Sequence, residues 1–550
     1  MDGTTVHGTG HDLPPRHLVG HYVPVLGLEI VVVLGVAILL SGVVAPRLHV
    51  APPLVLLACG ALLGFVPALR GVSLPPELML LVFLPALLYW ESLTTSLREI
   101  RSNLRSIVLA STLLVVATAA SVAVVAHALG LPWAPAWVLG AAVAPTDATA
   151  VGAIARGLPR RTVTTLRAES LVNDGTALVI YGLAIGVTVG EQQLGLGSVA
   201  GLTLLAYAGG AVAGLVAAWL SVQTRRRLDN PLLENVLSVV TPFLAFLLAE
   251  FAHASGVLAV VVCGLALSQI GPRLVRADTR QQSTAFWSLS TFLLNGALFV
   301  LIGLQAQTAI RGLTTTIGTA LVLVGVISAA VFGTRLLWMF TVPYVVRALD
   351  RRPEQRLRRV GPRVRMVSVM AGFRGAVSLA AALAVPEVIA SGEEFPGRDT
   401  IIFVTSGVVV VTLVAQGLLL PVVVRWARLG PDTEVEEERL MAQRIMSEEA
   451  TAALPELAAQ LGTSGAVHER LRQEHEKHLR KLHAGNDEDA ERFRVYNDEY
   501  TALRLAVIAH KRATVVRLRD ERSIDDTVLR QIQSTLDIEE VRLSRREIAE

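Results

Sequence analysis

The feature of this sequence that most constrains its fold is a series of about 13 apolar runs, nearly all long enough to cross a bilayer. A transmembrane α-helix needs about 20 mainly apolar residues, and only a helix or a closed barrel satisfies its backbone in lipid. The run at 255–270 is short enough to be a half-span. The pattern predicts an all-α polytopic membrane protein. The runs lie near 24–45, 48–69, 76–97, 104–129, 133–156, 165–190, 197–222, 232–252, 255–270, 284–309, 315–346, 367–388 and 400–427.

The composition agrees with a membrane protein. Charged residues make up only 17% of the chain, whereas a soluble protein carries roughly 25%. Residues 1–430 have a net charge of +10 and residues 431–550 a net charge of −7. Because the basic part is also the apolar part, positive flanks of membrane spans explain the charge better than nucleic-acid binding. Cys59 and Cys263 lie in apolar runs, so we expect small buried hydrophobes rather than redox groups.

The placement of arginine predicts how the spans are oriented. With the N-terminus outside, the inward loops hold 22 arginines and the outward segments hold four. Cytoplasmic loops retain positively charged residues, so this bias supports a cytoplasmic C-terminus. We expect a multi-pass plasma-membrane protein with a polar extracellular tail over residues 1–23. No basic segment precedes the first apolar run, and a cleaved signal peptide is therefore not expected.

Residues 431–550 differ in character from the preceding chain. They are charged, nearly free of glycine and helical in pattern, and Pro455, Gly462–Gly465 and Gly485 divide them into several helices. We expect a helical cytoplasmic domain with a regulatory role. Histidines in both tails could sense pH or bind metal, but solvated helix faces and a disordered N-terminal tail are the simpler interpretation. These histidines are His7, His11, His17, His21, His468, His475, His478 and His483.

Several ionisable residues lie inside the apolar runs. Each costs about 2.5–3.5 kcal/mol on the insertion scale, so their presence indicates function. Those nearer to span ends are expected to reach the interface: Glu234, Arg335 and Glu387. Those well inside predicted spans are Glu29, Glu91, Asp147, Glu169, Asp174 and Arg374.

Asp147 follows a proline in the segment Ala144-Pro145-Thr146-Asp147. Proline removes a backbone donor and opens the helix, which is tolerated at mid-membrane where the backbone lines a cavity. An oxygen-rich opening of this kind suits Na⁺. A kinked helix in which Asp147 caps a helix N-terminus explains this segment equally well when it is taken alone.

The next span presents four polar side chains on one face. At about 100° per residue, Glu169 stacks on Asn173, and Ser170 stacks on Asp174. Helix packing alone would more often use uncharged polar residues, so the two acids predict ion handling. We predict that Asp174 is the exchanged site, because its carboxylate can hold Na⁺ or H⁺ but not both. Further oxygens are expected from Thr146, Asp147 and Ser170.

Arg374 lies in an apolar span between Gly372 and Gly375. A guanidinium stays protonated, so a buried one needs a partner. Glu169 and Glu91 are the available acids, and we predict a structural ion pair between Arg374 and Glu169. The two glycines allow a helix break or the close approach of another helix.

Six segments together resemble the sodium/proton exchangers of the cation:proton antiporter-1 family, the bacterial relatives of the animal exchangers. They occur in the expected order over nearly all of residues 24–430. The resemblance implies a homodimer, two inverted repeats, crossing interrupted helices at Pro145 and Arg374, and alternating access through a moving core domain. The segments are FLPALLYWESL at 83–93, APTDATAV at 144–151, ESLVNDGTALVIY at 169–181, FVLIGLQ at 299–305, GFRGAVSLA at 372–380 and VAQGLLLPVVVRW at 414–426.

The resemblance also implies roles for individual residues. Asn173, before the key aspartate, resembles the electroneutral members, which exchange one cation for one proton. Glu169 and Arg374 resemble the family's buried ion pair. The positions that resemble the family's ion-coordinating residues are Thr146, Asp147, Ser170 and Asp174. We assign Asn173 to the same cation- and proton-binding site.

Glu91 departs from the family's pattern. The family's acid in this span usually follows an aromatic residue directly, whereas here Trp90 stands between Tyr89 and Glu91. A one-residue shift turns a helical side chain by about 100°. Glu91 is therefore left as a possible gate.

The sequence predicts a secondary-active antiporter, not an enzyme, that exchanges Na⁺ or Li⁺ for H⁺ without a cofactor, with Na⁺ at Asp174 and Asp147. A K⁺/H⁺ antiporter of the same fold is the nearest alternative, since the same oxygens could hold K⁺ in a wider cavity. A cation channel is the alternative from another class, but a titrating carboxylate behind helix breaks suits alternating access better. An intramembrane aspartyl protease would need neither Asn173 nor Arg374.

Overall fold

Helices account for nearly all of the part of the chain that the computed structural model describes. The described residues are 22–48, 50–67, 79–102, 104–147, 158–190, 196–311, 316–349, 361–429, 434–483, 488–521, 523 and 526–548. Within them the only β-pairing is an isolated bridge between Val388 and Glu394. Nearly all of the predicted tail over 1–23 lies outside the described residues.

Nine helices in the described ranges are long and apolar enough to cross a membrane. The span that contains α6 includes the π turn before it, so that Leu109–Ala128 together are long enough to cross the membrane. Two short helices, α4 (Leu97–Ser102) and α5 (Leu104–Val108), precede this span. The nine are α1 (Tyr22–Leu48), α6 (Val115–Ala128), α8 (Arg160–Val189), α9 (Leu196–Arg225), α10 (Pro231–Phe251), α11 (Gly256–Leu274), α12 (Ala277–Arg311), α13 (Ile317–Leu349) and α16 (Arg398–Ala427).

The remaining apolar elements are shorter. Each predicted apolar run contains one of the long helices, one short apolar helix or one helix pair around a break. The short run at 255–270 holds α11, which has 19 residues and is long and apolar enough to cross a membrane. It begins where the Ser255 hydroxyl accepts from the Leu258 N–H. The short elements are α2 (Pro52–Leu63), α3 (Leu84–Thr94, after a π turn at Met79–Phe83), α7 (Trp133–Val143), α14 (Pro362–Met370) and α15 (Ala376–Leu383).

Three large apolar clusters join the membrane helices. One joins α3, α8, α9, α10, α11 and α12, and its largest fully buried side chains include Tyr89 and Trp287. A second cluster joins α6, α7, α8, α13 and α16. Helices approach closely within the second cluster, since a Cβ on Gly140 would lie 2.3 Å from the Ala119 carbonyl oxygen. A third cluster joins α1, α2, α8, α12 and α16 with the broken elements α14 and α15.

The chain divides into two compact units, Met1–Pro431 and Asp432–Glu550. The described part of the second unit contains four helices: α17 (Glu434–Leu461), α18 (Gly465–His483), α19 (Glu488–Asp520) and α20 (Asp526–Ile548). Helices α19 and α20 share a small apolar core of Ile508, Leu536 and Leu543. An ion pair of 2.6 Å joins Arg504 to Glu539 across the same pair of helices.

Candidate ion-binding site

Two helix breaks meet inside the membrane unit. Helix α7 ends at Val143, and residues 144–147 continue without helical structure. Helices α14 and α15 are separated by residues 371–375, which are also non-helical. The backbone N–H of Asp147 donates to the carbonyl oxygen of Phe373 over 2.8 Å, which joins the two breaks directly. The two non-helical segments therefore meet, as the predicted crossing of interrupted helices requires, and residues 148–157 after the first segment lie outside the described residues.

Arg374 closes the end of the first broken helix. Its Nη1 donates to the carbonyl oxygens of Ala144 and Pro145, each at 2.8 Å, and the residue is almost fully buried. These carbonyls lie at the C-terminal end of α7, where backbone acceptors have no partner in the helix and the helix dipole is negative. The guanidinium therefore supplies the hydrogen bonds and positive charge that the break would otherwise lack.

The predicted ion pair between Glu169 and Arg374 is wrong. Glu169 Oε1 instead accepts from Nη1 of Arg335 at 2.7 Å, and both side chains are buried. Arg335 Nε also donates to the carbonyl oxygen of Ser368. Nor does Arg335 reach the membrane interface as expected, since it is 2% exposed. The physical reason lies in helix packing: a Cβ on Gly372 would lie 2.5 Å from Arg335 Nε, so the glycine admits the Arg335 side chain.

The second broken helix has an acidic neighbour. A Cβ on Gly375 would lie 2.0 Å from Oδ2 of Asp147, which places the carboxylate against the residue that precedes α15. Helix N-termini are positive and favour anions. Arg374 at the end of α7 and Asp147 at the start of α15 thus balance the two helix ends with opposite charges.

A small cavity of about 40 Å³ opens beside the crossing. A cavity needs only roughly 10–15 Å³ to hold a water molecule, so this one has room for a few waters or a partly hydrated cation. The cavity is lined by Leu84, Leu87, Leu88, Glu91, Pro145, Thr146, Asp147, Ser170, Asp174, Asn295, Leu298, Gly375, Val377 and Ser378.

The polar face predicted on α8 is buried, but only two of its four residues line the cavity. Ser170 and Asp174 line the cavity, and Asp174 is 5% exposed. Glu169 turns to Arg335, as described above. Asn173 stands outside the cavity lining, and its Nδ2 donates to the Thr146 hydroxyl oxygen at 2.6 Å. Asn173 therefore holds a residue of the cavity wall in place.

Glu91 lines the same cavity as Asp147 and Asp174, despite its departure from the family pattern. Its helix α3 follows the π turn Met79–Phe83. Glu91 faces the cavity although Trp90 stands between it and Tyr89.

Two further polar residues line the cavity, Asn295 and Ser378, and neither is predicted from the sequence as a site residue. Asn295 follows Thr284, Ser288 and Thr291 at helical spacing in the apolar run of α12, so a signal was present, but none of these residues is charged. Ser378 lies in the recognised segment GFRGAVSLA, four residues after Arg374. Helical spacing alone does not show what these residues face, and the packing of the helices places both at the cavity.

The other ionisable residues of the apolar runs lie elsewhere. Glu29 is exposed near the start of α1, and the Glu387 side chain is 83% exposed beside Arg398. Glu234 is buried, contrary to the expectation that it reaches the interface, and pairs with Arg225 at 3.5 Å. Across the described residues, no group of three or more His, Cys, Asp or Glu side chains could hold a metal ion. The cavity instead combines acids with hydroxyl and amide groups.

Titratable acids in a small cavity at crossed helix breaks define a class of membrane protein, the secondary ion transporters. The family described as "Sodium/hydrogen exchanger, transmembrane" matches residues 34–426. A Na⁺/H⁺ exchanger of Mycobacterium tuberculosis, itself described as uncharacterized, is 44% identical over 532 residues, covering 96% of this chain and 98% of the relative. The Na⁺/H⁺ antiporter ApNhaP of Aphanothece halophytica is 31% identical over 401 residues, covering 71% and 72%. The chain belongs to the sodium/hydrogen exchanger family.

A solved structure supports the fold. The sodium proton antiporter MjNhaP1 from Methanocaldococcus jannaschii superimposes with a TM-score of 0.57, covering 73% of this chain and 99% of that protein. Its sequence identity is 18%, so the likeness concerns the fold alone. The predicted all-α polytopic class is confirmed.

Proposed function

We propose that this protein exchanges Na⁺ for H⁺ across the plasma membrane by alternating access, with the two ions competing at Asp174. The observation that carries the proposal is the shared cavity. Asp174 and Ser170 from α8 line it together with Thr146 and Asp147 from the broken end of α7. These are the oxygen ligands that a small, hard cation prefers.

The charge balance of the crossing supports Asp174 as the exchanged group. Asp147 lies against the start of α15 and Arg374 binds the carbonyl end of α7, so these two charges are engaged by helix ends. Of the two aspartates in the cavity, Asp174 is then the one whose charge changes during transport. When the carboxylate is ionised it attracts Na⁺, and when it is protonated it releases Na⁺. One site that holds either ion couples the two fluxes.

We assign a stoichiometry of one cation to one proton. Asn173 is a neutral neighbour of Asp174 that donates to Thr146, so α8 brings a single carboxylate to the cavity. Glu91 lies on α3, lines the same cavity, and is proposed as a gate that controls access to Asp174. Na⁺ and H⁺ are cargo, and this chemistry requires no cofactor or enzymatic step.

We also propose the wider organisation of the transporter. The apolar cluster around α9, α10 and α11 is separate from the one around α6, α7 and α13, which suits a core that moves against a static domain within a homodimer. The bias of 22 inward to four outward arginines supports an extracellular N-terminus and a cytoplasmic C-terminus. We assign transport to residues 24–430 and a cytoplasmic regulatory role to residues 431–550. Lipid, the two ions and a second copy of the chain are the proposed partners, and nucleic acid is not.

Na⁺ is favoured over K⁺ because relatives such as ApNhaP are Na⁺/H⁺ antiporters by name. The test is a fluorescence dequenching assay in proteoliposomes that compares Na⁺, Li⁺ and K⁺, with and without an imposed voltage. Wild-type protein should move protons in response to Na⁺ or Li⁺, independently of voltage. The Asp174→Asn variant should show no such response but should elute normally on size-exclusion chromatography. Glu387→Gln is the control, because it neutralises an acid that is 83% exposed. Normal exchange by Asp174→Asn would refute the proposal.

A further inference from the structure

Ser378 is a buried hydroxyl without a visible role in the mechanism above. It is the third residue of α15, close behind the break that contains Arg374. The residue is 1% exposed and lines the cavity together with Asp174. Across the described chain, its Oγ is one of the buried polar atoms with no hydrogen-bond partner. A buried hydroxyl in this state is costly and calls for a ligand or water.

The position of Ser378 explains why its own helix does not satisfy it. Buried hydroxyls in the middle of a helix usually donate to the carbonyl four residues earlier. Thr118 does so to Leu114 at 2.7 Å, and Ser92 does so to Leu88 at 2.6 Å. Four residues before Ser378 is Arg374, which lies in the break and outside any helix. The helix break that builds the cavity therefore also leaves this hydroxyl available to the cavity.

We propose that the Ser378 hydroxyl is a further ligand of the transported cation, directly or through one water, and that it contributes to cation preference. This inference rests on the proposed exchange at Asp174. The broken end of α7 supplies Thr146 and Asp147, and α8 supplies Ser170 and Asp174. Ser378 adds an oxygen from α15, so that both interrupted helices and α8 contribute to the site.

The chemistry of a hydroxyl suits this role in both states of the transporter. With Na⁺ bound, a lone pair of Oγ faces the cation while its proton is free to be donated to a carboxylate or water. With Asp174 protonated, the same oxygen can accept a hydrogen bond from the acid or from water. A neutral ligand alters the number and field strength of the oxygens around the ion, which are properties that discriminate between cations of different size.

The test uses Ser378→Ala and Ser378→Cys in the full-length protein, reconstituted in proteoliposomes. Alanine removes the oxygen, and cysteine keeps a similar volume but offers a soft sulfur that alkali cations bind poorly. The apparent KM is measured for Na⁺, Li⁺ and K⁺ at one pH. We expect both variants to raise the KM for Na⁺ by about two- to tenfold, the range of one neutral hydrogen bond, with the maximal rate largely retained. We also expect the ratio of the Li⁺ and Na⁺ values to change.

The matched control is Ser328→Ala. Ser328 lies on α13, is also buried, and also has an unpartnered Oγ within the described chain, but it does not line the cavity. This variant should keep wild-type KM values. The proposal is overturned if Ser378→Ala or Ser378→Cys folds and keeps the wild-type values. It is also overturned if all three cations shift by one factor, or if Ser328→Ala shows the same change. Activity of Asp174→Asn would instead refute the underlying exchange site.

Discussion

A Cβ atom on Gly375 would lie 2.0 Å from Oδ2 of Asp147, so the missing side chain of the glycine makes room for the carboxylate. The same glycine precedes α15, and both residues line the cavity. The contact holds Asp147 at the start of a broken helix, where its negative charge is favoured. The geometry of the site thus depends on a position that carries no functional group of its own.

Gly375→Ala is expected to displace Asp147 from the start of α15. The added methyl group cannot be accommodated without movement of the carboxylate or of the break, and small misplacements at a reacting site cost activity steeply. Exchange should fall by about tenfold or more in proteoliposomes. Gly333→Ala is the control, because nothing lies within 4 Å of its Cβ position. Equal activity of the two variants would show that Gly375 does not position Asp147.

Glu169 and Arg335 are expected to be strongly coupled. Removal of one partner leaves a buried charge unpaired, which costs about 3–5 kcal/mol. Glu169→Gln and Arg335→Ala should each lower the melting temperature in detergent, and the double variant should lose less than the sum of the two. The same cycle between Glu169 and Arg374 should show weaker coupling, because Arg374 donates to backbone carbonyls. A stronger coupling to Arg374 would contradict the observed pairing.

A surface ion pair provides the reference for that experiment. Arg470 lies 3.7 Å from Glu474 on α18, and both side chains are largely exposed. Exposed pairs contribute about 0–1 kcal/mol. Arg470→Ala should therefore leave the melting temperature nearly unchanged.

Asn173→Ala is expected to weaken cation binding without abolishing transport. The variant removes the donor that fixes the Thr146 hydroxyl at 2.6 Å, and a single hydrogen bond of this kind is worth about 0.5–1.5 kcal/mol. The KM for Na⁺ should rise by about two- to tenfold, with a smaller effect on the maximal rate. Asn235→Ala breaks an exposed bond to Gln282 and serves as the control. An unchanged KM in Asn173→Ala would show that the hydrogen bond from Asn173 to Thr146 does not affect cation binding.

Competition at Asp174 predicts how exchange depends on pH. Lowering the pH increases proton occupancy of the carboxylate, so more Na⁺ is needed to displace the proton. The apparent KM for Na⁺ should rise as pH falls, approaching about tenfold per pH unit where protonation dominates, by mass action. The rate at saturating Na⁺ should change much less. A KM that stays constant while the maximal rate falls would indicate separate sites for the two ions.

Deletion of residues 440–550 is expected to leave exchange in place. Those residues belong to the compact unit Asp432–Glu550, whereas the cavity residues all belong to Met1–Pro431. The truncated protein should exchange Na⁺ for H⁺ with an altered pH response in the same assay. Complete loss of exchange by a truncated protein that remains stable and inserted would assign the second unit a direct part in transport.

Much of the site could be predicted from local sequence. Pro145 breaks a helix wherever it stands in one, and residues four apart on α8 share a face, so Ser170 and Asp174 were expected together. Both line the cavity, as does Asp147. The partner of Glu169 could not be predicted in the same way. Arg335 is 166 positions away in the chain and lies in a different helix, and no periodicity relates the two.

Local sequence is enough to assign the class of fold, the helix breaks and the acids within the membrane, because insertion cost and helix periodicity act along the chain. Which groups meet depends on the packing of the helices. That packing joined Arg335 to Glu169 through the space beside Gly372, directed Arg374 to the end of α7, and brought Glu91 and Ser378 to the cavity. These contacts depend on how helices cross and rotate against each other, and that arrangement arises from packing between distant segments.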